Sequence, residues 1–281
     1  MNDDKALSDI RNVIAAGQLD TAEILLRDRA SSVSDPLIKI QCASILLVIG
    51  RSEASDEVLE NIYEELRDSN ENSFSVAQAM RGLGRGDLAI DLLQDITEND
   101  AVLREKAMSL NMIGRYEEAI EAVEKISEKT ADDSVLHLES LSSLGKHDEA
   151  LKLSDELFKK YPDSYSVLRS RGGALIAAGK DKEAVKYARK LMKDNKESAD
   201  ANAVAAYVMY IIGNTKPAGA FSSKALRIDG SHVGAMEILA LSLMDKDKHK
   251  NACIVAGAMN EKEPGNPAAV RILRECGGKF S

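Results

Sequence analysis

The sequence has no tryptophan, five prolines and three cysteines in 281 residues, and aromatic residues make up only 4%. Packed β-sheets are normally richer in aromatic and β-branched residues, so the composition disfavours a sandwich or barrel. No apolar run approaches the roughly 20 residues that cross a bilayer. The acidic N-terminus also differs from a secretory signal, so the sequence predicts a cytoplasmic location.

The cysteines Cys42, Cys253 and Cys276 lie far apart from one another and are odd in number. This spacing suggests neither a disulfide framework nor a zinc site, and it predicts reduced thiols.

A short pattern recurs along the chain: a glycine followed five residues later by an alanine. The glycines are Gly17, Gly84, Gly114, Gly145, Gly179 and Gly213, and the alanines are Ala22, Ala89, Ala119, Ala150, Ala184 and Ala218. Gly50 with Ser55 and Asp247 with Ala252 are two degenerate copies. Most successive copies are 33 or 34 residues apart, and two central ones are 30 and 31 apart. The pattern therefore predicts eight tandem repeats.

A period near 34 with one turn per period is typical of a stacked pair of helices. The glycine ends the first helix in a left-handed conformation, and the small residue lies where the two helices cross. The first helix carries a matching small residue seven positions before the turn: Ala43, Ala77, Ala107, Gly172, Ala206 and Ala240. The sequence therefore predicts an all-α protein, a right-handed superhelical α-solenoid of antiparallel helix pairs.

The predicted solenoid is a single domain over residues 1–281. Its first helices are expected to begin near residues 3, 36, 70, 100, 131, 165, 199 and 233. A further helix over residues 267–276 is expected to cap the array by covering the last repeat.

Two stretches resemble the tetratricopeptide repeat, namely Gly114-x-Tyr116-x-x-Ala119-Ile120, and Tyr161-Pro162-Asp163-Ser164 leading into the small residue Gly172. The resemblance covers nearly the whole chain. It departs from the family pattern in lacking the tryptophan of the first helix, in Ser55, and in the two shorter central repeats. It implies an adaptor or scaffold for other proteins.

No set of residues with catalytic spacing accompanies the repeats. His137, His147, His232 and His249 lie in different repeats, and no nucleophile or carboxylate stands beside them at a catalytic or metal-ligand spacing. The sequence therefore predicts a protein that is not an enzyme and that has no metal and no cofactor.

The first helix of each repeat is expected to line a concave groove. The predicted groove residues are Arg104, Met108, Asn111, Arg169, Ile176, Tyr207, Tyr210, Leu241 and Met244. Exposed tyrosine and methionine are typical of partner binding, so the groove is interpreted as a site for a peptide or a partner helix. The alternative is that tight stacking of the repeats buries these side chains.

Tetratricopeptide co-chaperones that bind acidic chaperone tails suggest a second alternative. Arg104 and Arg169 could hold a carboxylate, but the lysines and asparagines of that clamp are missing from the expected positions.

Charge is distributed unevenly. Residues 1–140 hold 29 acidic and 14 basic residues, a net charge of −15, whereas residues 141–281 hold 17 acidic and 23 basic residues, a net charge of +6. A basic outer stripe of Lys182, Lys186, Arg189 and Lys193 could attract an acidic partner or the acidic half of another copy, unless it is simply a solvated face. A structural subunit joined through its ends and outer faces is therefore a further alternative. Nucleic acid is not an expected partner, because the chain is acidic and no aromatic residues accompany the stripe.

Overall fold

The computed structural model describes residues 3–67, 73–263 and 266–277, which form seventeen α-helices and no strand. The helices are α1 (Asp3–Ala15), α2 (Leu19–Ser32), α3 (Pro36–Val48), α4 (Ser52–Leu66), α5 (Ser73–Gly82), α6 (Gly86–Leu92), α7 (Asp100–Met112), α8 (Tyr116–Lys125), α9 (Ala131–Ser143), α10 (His147–Lys160), α11 (Tyr165–Ala177), α12 (Asp181–Asp194), α13 (Ala199–Ile211), α14 (Thr215–Ile228), α15 (Val233–Met244), α16 (His249–Lys262) and α17 (Pro267–Gly277).

The odd-numbered helices α1 to α15 are the first helices of the eight repeats. Seven of them begin at residues 3, 36, 100, 131, 165, 199 and 233. The predicted start near residue 70 lies outside the described residues, and α5 begins at Ser73.

The turn inside each repeat has the backbone conformation that the glycine pattern predicts. All seven pattern glycines have φ between 70° and 85°, and Asp247 has φ 55°. This left-handed region is open to glycine at little cost and is strained for most other residues. The turn prediction is therefore confirmed in all eight repeats.

The helix crossings are closed by small side chains. The residue five positions after each turn residue is fully buried, including Ser55 and Ala252. The matching small residues of the first helices are buried as well. A larger side chain at either position would push the two helix axes apart, so the pattern and the packing have the same steric cause.

The chain divides into two compact units. The first consists of residues 1–96 and 265–281, so it contains α1 to α6 and also α17. Helix α17 packs on α3. The guanidinium of Arg274 donates from both terminal nitrogens to Asp56 at 2.8 Å and also to the carbonyl oxygen of Leu83.

Helix α17 is held on the first unit by a contact between residues that are distant in the sequence. Its amphipathic sequence shows only that one face must be buried, and this bidentate ion pair fixes that face on the first unit. Gly84 helps to admit the helix, because a Cβ atom there would lie 3.2 Å from Val270 Cγ1.

The second unit spans residues 97–264 and contains α7 to α16. Its core is aliphatic, with Leu138, Val167 and Val208 nearly fully buried between successive first helices and their partners. Antiparallel helices follow one another with short turns, so the first helices α7, α9, α11, α13 and α15 lie side by side.

The cysteines differ from the expectation of reduced thiols. Cys42 is a free thiol in the core of the first unit, and burial raises its pKa to about 11. Cys253, by contrast, is disulfide-bonded. The expectation is therefore wrong for Cys253.

Among the described residues, no helix is both long enough and apolar enough to cross a lipid bilayer.

Candidate protein-binding groove

Two adjoining cavities lie along the first helices of the second unit. One has a volume of about 390 Å³ and is lined by Arg104, Met108, Asp132, Asp133, Leu136 and Glu139, among others. The other has a volume of about 520 Å³ and is lined by Asn111, Tyr116, Glu139, Ile176, Tyr207 and Ile211, among others. Glu139 borders both, so we treat the two cavities as one groove running along α9.

The arginine at the α7 end of the groove is already paired. Arg104 Nε lies 3.0 Å from both carboxylate oxygens of Asp133, and its Nη2 donates to the carbonyl oxygen of Glu128 at 2.7 Å. Asp133 also accepts from the Thr130 backbone in the capping box that begins α9. Arg104 therefore anchors the start of α9, and its charge is neutralised within the chain.

The arginine on α11 is paired as well. Arg169 Nη2 lies 2.9 Å from Glu237 Oε2, and the guanidinium stands over the Tyr207 ring at 4.7 Å. Burial is the largest single influence and would lower the pKa of this guanidinium, but Glu237, Tyr165, Tyr207 and Glu139 together outweigh it and the pKa is raised. This contact joins α11 to α15 across α13, so the inner side chains of three successive repeats meet here.

Tyr207 is held tightly in that contact. Burial raises the pKa of its phenol, and its hydroxyl oxygen would lie 2.9 Å from a Cβ atom added to Gly173. The neighbouring Tyr165 packs edge-on against the His232 ring at a centroid distance of 4.6 Å. Tyr207 is therefore packed between repeats. This agrees with the alternative of tight stacking better than with a freely exposed side chain.

The remaining predicted groove residues fall into two sets. Met108, Asn111 and Ile176 line the groove, and Asn111 donates to Ser140 Oγ at 2.8 Å. Tyr210, Leu241 and Met244 lie farther along the unit, on α13 and α15, and line neither cavity. Tyr210 contacts Asp245 at 3.5 Å, and the Met244 sulfur lies 3.3 Å from His249 Nδ1.

Two exposed carboxylates also line the groove, Asp132 and Glu139. Helical spacing predicts Glu139 on the inner row, whereas it does not predict Asp132 there. Ser166 Oγ donates to Asp132 at 2.7 Å, and Ser170 Oγ donates to Glu139 at 2.9 Å. The available signal was the seven-residue spacing on α9, which places both on one helical face, together with the four-residue spacing of the serines on α11.

All four residues of the basic stripe are exposed on α12, and none forms an ion pair with any residue that the structure describes. Their charges are therefore open to solvent or to a partner.

Helix pairs, left-handed turns and small crossing residues define an all-α solenoid. Residues 139–164 match the family model described as "Tetratricopeptide repeat". The fold of the chain is similar to that of tandem tetratricopeptide-repeat proteins. No curated protein sequence matches it.

Solved structures were compared with this fold. A tetratricopeptide repeat protein from Parabacteroides merdae ATCC 43184 is 16% identical with a TM-score of 0.52, and the match covers 86% of this chain and 98% of that one. TTC0263, a thermophilic TPR protein of Thermus thermophilus, is 15% identical with a TM-score of 0.47, covering 63% and 100% of the two chains. MamA from Desulfovibrio magneticus RS-1 is 17% identical with a TM-score of 0.33, covering 59% and 96%. At such identities the first of these similarities establishes the fold alone.

Proposed function

We propose that the protein is a non-catalytic adaptor that holds a segment of a partner protein in the groove of its second unit. The observation that carries the proposal is the pair of adjoining cavities, which have accessible apolar side chains on the first helices. Met108 and Leu136 line one cavity, and Ile176 and Ile211 line the other. Ile211 is 48% exposed, so its side chain is accessible to a ligand in the second cavity.

The chemistry of the groove supports binding rather than catalysis. Its two arginines are neutralised by carboxylates of the chain, and the described residues contain no group of three potential metal ligands. Tetratricopeptide repeats generally serve as protein-interaction scaffolds. We therefore propose no enzymatic activity, cofactor or nucleic-acid partner.

The test compares two substitutions that remove the same exposed side chain at different places. Ile211→Ser alters the groove, whereas Ile254→Ser alters α16, where the isoleucine is 64% exposed and lines neither cavity. Each protein is used to capture partners from the native lysate, after circular dichroism has shown that both variants fold. A photo-crosslinking residue at position 211 then identifies the peptide segment in contact.

A partner retained by wild type and Ile254→Ser but lost by Ile211→Ser is the expected result. A partner captured equally by all three proteins and not crosslinked from position 211 would refute the groove as the binding site.

A second candidate is a structural subunit that associates through its outer faces. It rests on the basic stripe, whose four exposed cations form no ion pair with the residues described. An acidic surface of a partner or of a second copy would complement them. Sedimentation velocity at low and high salt tests self-association, and replacing Lys186 and Arg189 with glutamate should abolish any salt-sensitive association. A monomer at every salt concentration would exclude the second copy.

The cytoplasmic location stays a proposal. The disulfide bond of Cys253 does not favour this location, because disulfides persist mainly in oxidising compartments. Fractionation of the native cells followed by immunodetection locates the protein, and recovery outside the cytoplasmic fraction would refute the proposal.

A further inference from the structure

The charge that remains in the groove is negative. Asp133 neutralises Arg104, and Glu237 neutralises Arg169, so neither cation is available for the acidic tail that a carboxylate clamp would bind. Asp132 and Glu139 remain, and both are exposed. An acidic ligand would meet two carboxylates and no unpaired cation along this wall, so the groove disfavours it.

The two carboxylates are fixed in place. Ser166 and Ser170, one turn apart on α11, each donate a hydroxyl hydrogen to one of them. Each carboxylate uses one oxygen for that bond, and its second oxygen receives no hydrogen bond from the residues described. Binding would therefore require little further ordering of these two side chains.

The spacing of the carboxylates sets the spacing of the ligand's charges. Seven residues of helix correspond to a rise of about 10.5 Å. In an extended peptide with polyproline II conformation, residues three positions apart lie on the same side and are separated by about 9 Å. Two basic side chains in that relation can therefore reach Asp132 and Glu139 together.

The groove also has apolar surface on both sides of Glu139. Met108 and Leu136 lie in the cavity shared with Asp132, and Ile176 and Ile211 lie in the other. An extended chain fits better than a helix, because the contact of Arg169 with Glu237 and Tyr207 fills part of the inner space beside the second cavity. A helix with side chains is about 10–12 Å wide.

We propose that the occupant of this groove is an extended peptide segment with two basic residues three positions apart, flanked by aliphatic residues. The proposal rests on the proposed adaptor function, and it specifies the ligand class for that same groove.

The test uses fluorescein-labelled synthetic peptides and fluorescence anisotropy. The first peptide has two lysines three positions apart, and a pair of leucines flanks them on each side. Matched peptides replace both lysines with glutamine or with glutamate, and a further peptide places the lysines seven positions apart. The first peptide is expected to bind roughly tenfold more tightly than the glutamine peptide, since charge-assisted hydrogen bonds would be lost. Its affinity should fall as salt is raised.

A charge-matched pair of variants locates the effect. The Asp132→Asn/Glu139→Gln variant keeps the shapes of both side chains and should lose roughly the same factor in affinity for the lysine peptide. The Glu117→Gln/Glu121→Gln variant makes the same change in net charge at exposed positions of α8 and should bind like wild type.

The remaining outcomes separate the two proposals. If wild type bound the lysine and glutamine peptides equally well and Ile211→Ser bound neither, the ligand would not need basic residues. The groove would still be the binding site. Tighter binding of the peptide with lysines seven apart would overturn the extended conformation. If no peptide bound, or if both charge variants lost the same affinity for the lysine peptide, the inference would be refuted. The adaptor function is tested separately, by the capture experiment.

Discussion

Replacing Gly173 with alanine should reveal how tightly the inner wall of the second unit is packed. Gly173 lies inside α11, and an added Cβ would lie 2.9 Å from the Tyr207 hydroxyl oxygen, which is closer than side chains normally allow. The next atoms of the ring are 3.6 and 3.7 Å away, at ordinary contact distance. The ring cannot shift freely, because Arg169 stacks on it at 4.7 Å.

Two effects of opposite sign then compete. Alanine is more favourable than glycine inside a helix by about 0.5–1 kcal/mol. Overpacking against a fixed side chain costs about 1–3 kcal/mol. We expect Gly173→Ala to lower the free energy of unfolding by about 1 kcal/mol in wild type. In a Tyr207→Phe background the clash is gone, so the same change should raise the free energy of unfolding by about 0.5–1 kcal/mol.

Urea unfolding followed by far-ultraviolet circular dichroism measures the four proteins of this double-mutant cycle. Gly257→Ala in α16 is the control, because a Cβ atom there meets nothing within 4 Å and should show the helix gain alone. If Gly173→Ala stabilised wild type as much as it stabilised Tyr207→Phe, the packing of Tyr207 against α11 would be refuted.

Four further predictions concern single residues. Gly234→Ala should lower the melting temperature in calorimetry and cost about 2–3 kcal/mol, because its Cβ would lie 1.9 Å from the Tyr165 hydroxyl oxygen; an unchanged melting temperature would contradict that contact. Asp247→Gly should raise the free energy of unfolding in urea by about 0.5–1 kcal/mol, since the residue has φ 55°, and a lower value would show that the aspartate compensates for its strain. In native protein at pH 8 Cys42 should not react with a thiol reagent, because burial raises its pKa to about 11 and keeps the thiol protonated. In denaturant without reductant, fewer than the three thiols of the sequence should titrate, and finding all three would contradict the disulfide of Cys253.

The repeat architecture was readable from the sequence because its two requirements are local. A left-handed turn needs a residue such as Gly114, and a close helix crossing needs one such as Ala119. Each requirement acts on a single position and recurs with the period, so even the degenerate copies at Ser55 and Asp247 could be placed. Sequence therefore predicts the turns and crossings almost residue by residue.

The partner of α17 could not be read in the same way. Its apolar face requires burial but carries no information on where. The choice is made by the ion pair of Arg274 with Asp56, two residues 218 positions apart, and by the space that Gly84 leaves for Val270. Pairings across such separations follow no repeat period, so the period of the sequence does not predict what α17 packs on.

The groove depends both on local spacing, which the sequence predicts, and on long-range pairing, which it does not. Helical periodicity predicts Arg104 and Arg169 on the inner row, but it does not reveal that Asp133 and Glu237, 29 and 68 residues farther along, neutralise them. Counting cations on the row therefore suggests an acidic ligand, whereas the charge left over is that of Asp132 and Glu139. Ser166 and Ser170 donate to these carboxylates from the next repeat. Carboxylates on one first helix, followed one repeat later by hydroxyl residues, are therefore a pattern that can be recognised in a repeat sequence. The net charge of a solenoid groove should therefore be counted only after ion pairs between inner-row residues of neighbouring and next-neighbouring repeats have been removed. The peptide series above tests this rule on this protein.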